Sequence, residues 1–112
     1  MWLFTKHSYL SVTEHKEDKS LLHIRARIEG DIERYFPDVV IEHTPLADYQ
    51  YRTNVPRERV ARVMADIVRQ INYPSYKKSI HDKARLPYIN DIWEMTVDMG
   101  RAITHNLPGG GR

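Results

Sequence analysis

Apolar and polar residues alternate in two early stretches of the chain, and the period then changes. In residues 8–15, Leu10 and Val12 point one way while Ser11, Thr13 and His15 point the other, as in a half-buried strand. The charged run 16–20 reads as a hairpin connection. Residues 21–27 alternate again, with Leu22, Ile24 and Ala26 on one face and His23, Arg25 and Arg27 on the other, so the two strands are expected to pair antiparallel. From residue 28 the spacing becomes helical. Ile28, Ile32, Tyr35 and Phe36 share a side, Asp31 and Glu33 suit the positive end of a short helix, and Pro37 stops it. The β-branched run 39–44 predicts a third long strand, and residues 45–48 a turn led by Pro45. Residues 48–55 predict a fourth strand, with Tyr49, Tyr51, Thr53 and Val55 on a common face.

The clearest helical pattern begins at Pro56, whose missing N–H costs nothing in a first helical turn. Val60, Val63, Met64, Ile67, Val68 and Ile71 fall on one side of it, and Glu58, Arg59, Arg62, Asp66 and Arg69 on the other. Asn72 is suited to end it. Pro74 opens a short turn or helix through Lys78. Pro87 opens a last helix that presents Ile89, Ile92, Trp93, Thr96, Met99, Gly100 and Ile103 at spacings of three and four. The order strand, strand, helix, strand, strand, helix, helix predicts an α+β fold: a permuted, ferredoxin-like two-layer sandwich. It would hold a four-stranded antiparallel sheet with an N-terminal hairpin, two helices and an added C-terminal helix. Residues 1–106 are expected to form a single domain and residues 107–112 a flexible Gly-rich tail.

At 112 residues the chain hides roughly two-thirds of its unfolded surface on folding, enough for one core without staples. The absence of cysteine removes disulfides and thiol chemistry and suits a reducing cytosol. Trp2, Leu3 and Phe4 are too few for the apolar core of a targeting segment, and no apolar run approaches the roughly 20 residues of a membrane span. A cytoplasmic protein without membrane contact is expected. The formal charge of +2 conceals a polarity: residues 52–85 carry nine basic and three acidic side chains, the remainder eight and twelve.

Reactive constellations are hard to find. No serine lies in a Gly-x-Ser-x-Gly elbow or shows a local sign of activation. The six histidines include no pair at i,i+2 or i,i+4, although the fold would have to bring only His15, His23 and Glu42 together to make a site. No Asp-x-Asp-x-Asp-Gly run suits calcium, and no glycine-rich turn leads from a strand into a helix to cradle phosphate. Most carboxylates sit in turns and first helical turns, and Asp48 is expected to cap its turn by accepting backbone N–H groups. No catalytic group, metal or cofactor is expected.

A basic surface survives this scrutiny. Arg59, Arg62 and Arg69 share the outward side of the long helix; Lys77, Lys78, Lys83 and Arg85 follow it, with Tyr73, Tyr76 and Tyr88 interspersed. Cations bind phosphate and rings stack on bases, so the composition suits single-stranded nucleic acid. Tyrosine and arginine also dominate the hot spots of protein interfaces. The plainer reading is a solvated helix face and a tyrosine pair packed at a helix junction. A second surface, the sheet face of His23, Arg25, Arg27, Gln50, Arg52 and Asn54, lacks rings if Tyr49 and Tyr51 lie on the side of Val55, and no run of aromatic, glycine and basic residues typical of RNA-recognition sheets is present.

Four stretches taken together, MWLFT at the start, TPLADYQYR, INYPSYK and DIWEM, give the chain a family likeness. It resembles a group of short bacterial and phage or prophage-type proteins that begin Met-Trp-aliphatic-Phe-Thr. The resemblance spans nearly the full chain up to the tail. It implies one cytoplasmic domain of prokaryotic type and brings no activity, cofactor or catalytic residue with it.

These observations predict a small non-enzymatic binding or regulatory domain acting through protein–protein contact, a second copy of the chain being one candidate partner. The expected binding residues are Arg59, Arg62, Arg69, Tyr73, Tyr76, Lys77 and Lys78. The alternatives are nucleic-acid binding by the same patch and, by analogy of fold alone, small-molecule sensing.

Overall fold

Main-chain pairing begins at the first residue. In the computed structural model, which describes residues 1–106, the Met1 amine donates to the Val12 carbonyl at 2.8 Å and the Val12 N–H donates back to the Met1 carbonyl at 2.8 Å. This exchange sets β1 (Trp2–Phe4) antiparallel to β2 (Tyr9–Glu14), which turns through a hairpin into β3 (Leu21–Ala26). His15 and Asp18 build that hairpin turn. The imidazole Nδ1 accepts the N–H groups of Glu17 at 3.2 Å and Asp18 at 3.0 Å, and the Asp18 carboxylate accepts both the hydroxyl and the N–H of Ser20. Strands β4 (Glu42–His43) and β5 (Tyr51–Pro56) complete an open, five-stranded, antiparallel sheet in the order β1-β2-β3-β5-β4.

The core lies on one face of this sheet. Leu10, Val12, Ile24, Ala26 and Val55 are buried there beneath Ile32, Phe36 and the first turn of helix α1 (Arg57–Arg69), which contributes Val60. Each of the larger side chains stabilises the fold by about 1.5–3 kcal/mol through burial. Arg57 anchors the start of α1: its N–H donates to the Ser20 carbonyl at 2.7 Å and its guanidinium reaches the Lys19 carbonyl and the Glu14 carboxylate. Farther along, Val63 and Met64 are half-buried, whereas Val68 is exposed.

Four sequence expectations change. The apolar opening is itself a strand, so the sheet has five strands rather than four. Residues 28–36 form successive turns instead of a helix. Gly30 adopts φ +93°, a left-handed conformation that an α-helix cannot continue through, yet Ile32 and Phe36 still fill the core. The four-residue spacing therefore reported burial, not helix. The predicted strand 39–44 shrinks to Glu42–His43, because Val39 and Ile41 pack on the core while Val40 stands 89% exposed. Tyr49 departs from the face of Tyr51 and Val55. It precedes β5, so the alternation of that strand does not reach it.

Contacts divide the chain after Asn72. In the unit that begins at Tyr73, Ser75 caps α2 (Tyr76–Ser79), which packs against α3 (Leu86–Asn106). Asp82 prepares the start of α3 by accepting the Ala84 N–H at 2.9 Å and pairing with Arg85 at 3.2 Å. No residue of α3 is buried. The tail expected at residues 107–112 lies outside the described residues.

Candidate functional site

The seven residues singled out from sequence divide between the two units: Arg59, Arg62 and Arg69 lie on α1, and Tyr73, Tyr76, Lys77 and Lys78 in the unit that follows. Two of the three arginines are neutralised. Arg59 forks onto both oxygens of Asp38, one of them at 3.1 Å, and this bonding holds the Asp38 carboxyl below its ordinary range. Arg69 meets Asp66 at 3.2 Å. Arg62 is exposed and, among the described residues, has no carboxylate partner. In the second unit the Lys77 ammonium stands 4.0 Å from the centre of the Trp93 ring, the Tyr73 and Tyr76 rings meet at 6.5 Å and 54°, and Lys78 is exposed.

Helix α3 leaves a row of large apolar side chains open. Ile92, Trp93, Met99 and Ile103 are exposed along the side the sequence marks as apolar, Trp93 by 50%, with Tyr88 and Met95 at its margin. No helix among the described residues is long and apolar enough to cross a membrane, so this stripe is not a span.

A further cluster lies on the sheet face opposite the core. Strand register sets Trp2, Ser11, Arg25 and Arg52 in one row across β1, β2, β3 and β5, with Glu42 of β4 at its end. Around this row the rings are packed in sequence: Phe4 stacks on Tyr9 at 4.4 Å, Trp2 meets Tyr9 edge-on at 6.1 Å, and the Tyr9 and Tyr49 hydroxyls are 2.8 Å apart. Arg25 and Arg27 hold their guanidinium carbons 4.7 and 4.1 Å from the centre of the Tyr49 ring. Arg27 also donates to the Asp48 carbonyl at 2.8 Å, and Arg25 to the Ser11 hydroxyl at 3.2 Å. Arg52 donates to the Tyr49 carbonyl at 3.0 Å, while Asp48 accepts the Tyr49 N–H at 2.8 Å, the capping role expected of it. Trp2 remains 68% exposed.

No family model, curated protein or solved structure matches this chain.

Sequence reasoning placed Arg25, Arg27 and Arg52 together on this face but overlooked its rings, although part of their signal was present. Tyr9 is adjacent to buried Leu10, so simple alternation already put it with the arginines. Tyr49 gave no such signal. Its position depends on the turn made by Asp48, and Trp2 joins only because the first residues pair with β2. Three of the six histidines make structural contacts: His15 in the hairpin, His23 bonded to Asn54 at 2.9 Å, and His43 bonded to Gln50 at 3.2 Å and stacked on Tyr51 at 4.8 Å. Among the described residues no group of three or more histidine, aspartate or glutamate side chains is placed to hold a metal ion.

Proposed function

We propose that the protein is a small non-enzymatic binding domain that acts through protein–protein contact, and that α3 makes this contact with a second copy of the chain. One observation carries the reading: no residue of a 21-residue helix with a clear apolar side is buried. Exposed apolar stripes of this kind mark association surfaces.

The stripe is also its own complement. Ile89 and Ile103 lie seven residues to either side of Thr96, Ile92 and Gly100 four, and Trp93 and Met99 three. Two copies crossing antiparallel at Thr96 satisfy the rule of a two-fold interface, in which i meets j and j meets i. Ile92 of each copy then approaches the bare backbone of Gly100, around which a side-chain atom would meet nothing within 4 Å. Lys77, held over Trp93, with Tyr73, Tyr76 and Lys78 forms the polar margin of the stripe. Arg59, Arg62 and Arg69 lie on α1 in the other unit.

The absence of cysteine makes the test direct. Thr96→Cys places a lone thiol beside the two-fold axis, and mild oxidation should yield a covalent dimer. Glu94→Cys, on the opposite side of α3, should not crosslink. A natural chain that sediments as a monomer at every concentration, or two cysteine variants that crosslink equally, overturns the proposal.

A further inference from the structure

The sheet face opposite the core is a second binding surface, independent of α3, and we infer that it holds single-stranded nucleic acid. Charge comes first. Three guanidinium groups converge there, and among the described residues neither Arg25 nor Arg27 has a carboxylate partner; Arg52 lies 3.8 Å from Asp48 and in register with Glu42. All three arginines are fixed in place by Tyr49, Ser11 or the backbone, so little side-chain freedom remains to be lost when phosphate binds.

The rings decide between ligands. Trp2 touches Tyr9 with the two planes at 90°, and the indole is 68% exposed, so its ring is open to stacking. A base has a flat face to offer such a ring; an acidic peptide would use the cations and leave the indole idle. Strands lie about 4.8 Å apart, so the row from Trp2 to Arg52 runs about 14 Å across the sheet. That is the scale on which single-stranded RNA modules stack roughly two or three bases on an open antiparallel sheet. A nucleotide strand crossing β1, β2, β3 and β5 would stack its first base on Trp2 and lay its phosphates along Arg25, Arg27 and Arg52.

The test uses the full chain carrying Trp93→Phe, so that fluorescence reports Trp2 alone. Titration with a dodecathymidylate at low salt should quench it. The logarithm of affinity should fall against the logarithm of salt with a slope of about −2, three phosphates at about 0.7 each. Trp2→Ala should weaken binding about tenfold or more, read by oligonucleotide anisotropy, while Trp2→Phe retains most of it. Arg27→Glu and Arg52→Glu should each lower both the affinity and the slope. Arg34→Gln, in the turns that cover the opposite face of the sheet, should leave both unchanged. A parallel titration with oligouridylate separates RNA from DNA, and binding of either strand supports the inference. It is overturned if neither strand binds at low salt. It is equally overturned if duplex DNA or polyglutamate binds as well as the single strand, if Trp2→Ala binds like the natural chain, or if Arg34→Gln weakens binding as much as Arg27→Glu.

Discussion

The hydroxyl oxygens of Tyr9 and Tyr49 lie 2.8 Å apart, joining β2 to the turn that precedes β5. Burial, and then the bond to Tyr49, push the Tyr9 phenol up to about 12, against the opposing pull of Arg27 and Arg25. In the unfolded chain the same group ionises near 10. The folded state therefore keeps its proton through a window in which the unfolded chain has lost it. The stability this contributes is intact below pH 10 and is lost as pH rises through about 12. Ultraviolet titration should show a late tyrosinate step that Tyr9→Phe removes and Tyr49→Phe moves to lower pH.

Asp31 makes a different kind of junction. It is buried, its carboxylate accepts the Tyr9 N–H at 2.9 Å, and its carbonyl accepts the Ser8 hydroxyl at 2.9 Å. Asp31→Ala leaves the Tyr9 N–H without its acceptor and should destabilise by about 1–3 kcal/mol in denaturant unfolding. Asp31→Asn keeps an acceptor in place and should recover part of that loss.

These two contacts show which parts of the structure the sequence announces. Alternation over Leu10, Val12, Ile24 and Ala26 identified the buried face of the hairpin, and the period of Val60, Val63 and Met64 identified α1, because both signals are local. The sheet-face cluster is not local. Tyr9 and Tyr49 are 40 residues apart, and only strand register together with the Asp48 turn brings them to one place. The helix expected at residues 28–36 fails for a related reason: burial of Ile32 and Phe36 imitates helical spacing, while one residue, Gly30, sets the backbone. Likewise, the charge of Arg59 was legible, but its neutralisation by Asp38, 21 residues away, was not, whereas the Arg69–Asp66 pair is local to one helix face.

Phe36 and Val40 provide a contrast in stability. Phe36 has no exposed surface, so Phe36→Ala should cost about 3–5 kcal/mol through lost burial and the cavity left behind. Val40 belongs to the run expected to form the third long strand, yet it is almost fully exposed. Val40→Ala should stay within about 0.5 kcal/mol of the natural chain. Paired denaturant melts decide between the observed short β4 and a full strand through residue 40. In the latter case Val40 would no longer be a neutral position.

Glu14 governs the acid side. A hydrogen bond from Lys19 and the nearby Lys19 charge, with a lesser contribution from Arg57, hold its carboxyl below the usual range. The folded state thus releases this proton more readily than the unfolded chain. The stability it supplies is complete above the ordinary glutamate range and is lost as pH falls through the folded value. Glu14→Gln has no proton to bind, so its unfolding midpoint should fall less between pH 6 and pH 3 than that of the natural chain. Lys19→Ala and Arg57→Ala separate the two cations. Lys19 meets Glu14 by its exposed ammonium at 2.8 Å, and its removal should lower the midpoint slightly at neutral pH and hardly at all at pH 3, which flattens the acid limb. Arg57 also binds the Lys19 carbonyl through two nitrogens at 3.1 and 3.0 Å, tying the hairpin to the first turn of α1. Arg57→Ala should therefore lower the midpoint even at pH 3, an effect that no change in Glu14 ionisation alone can produce.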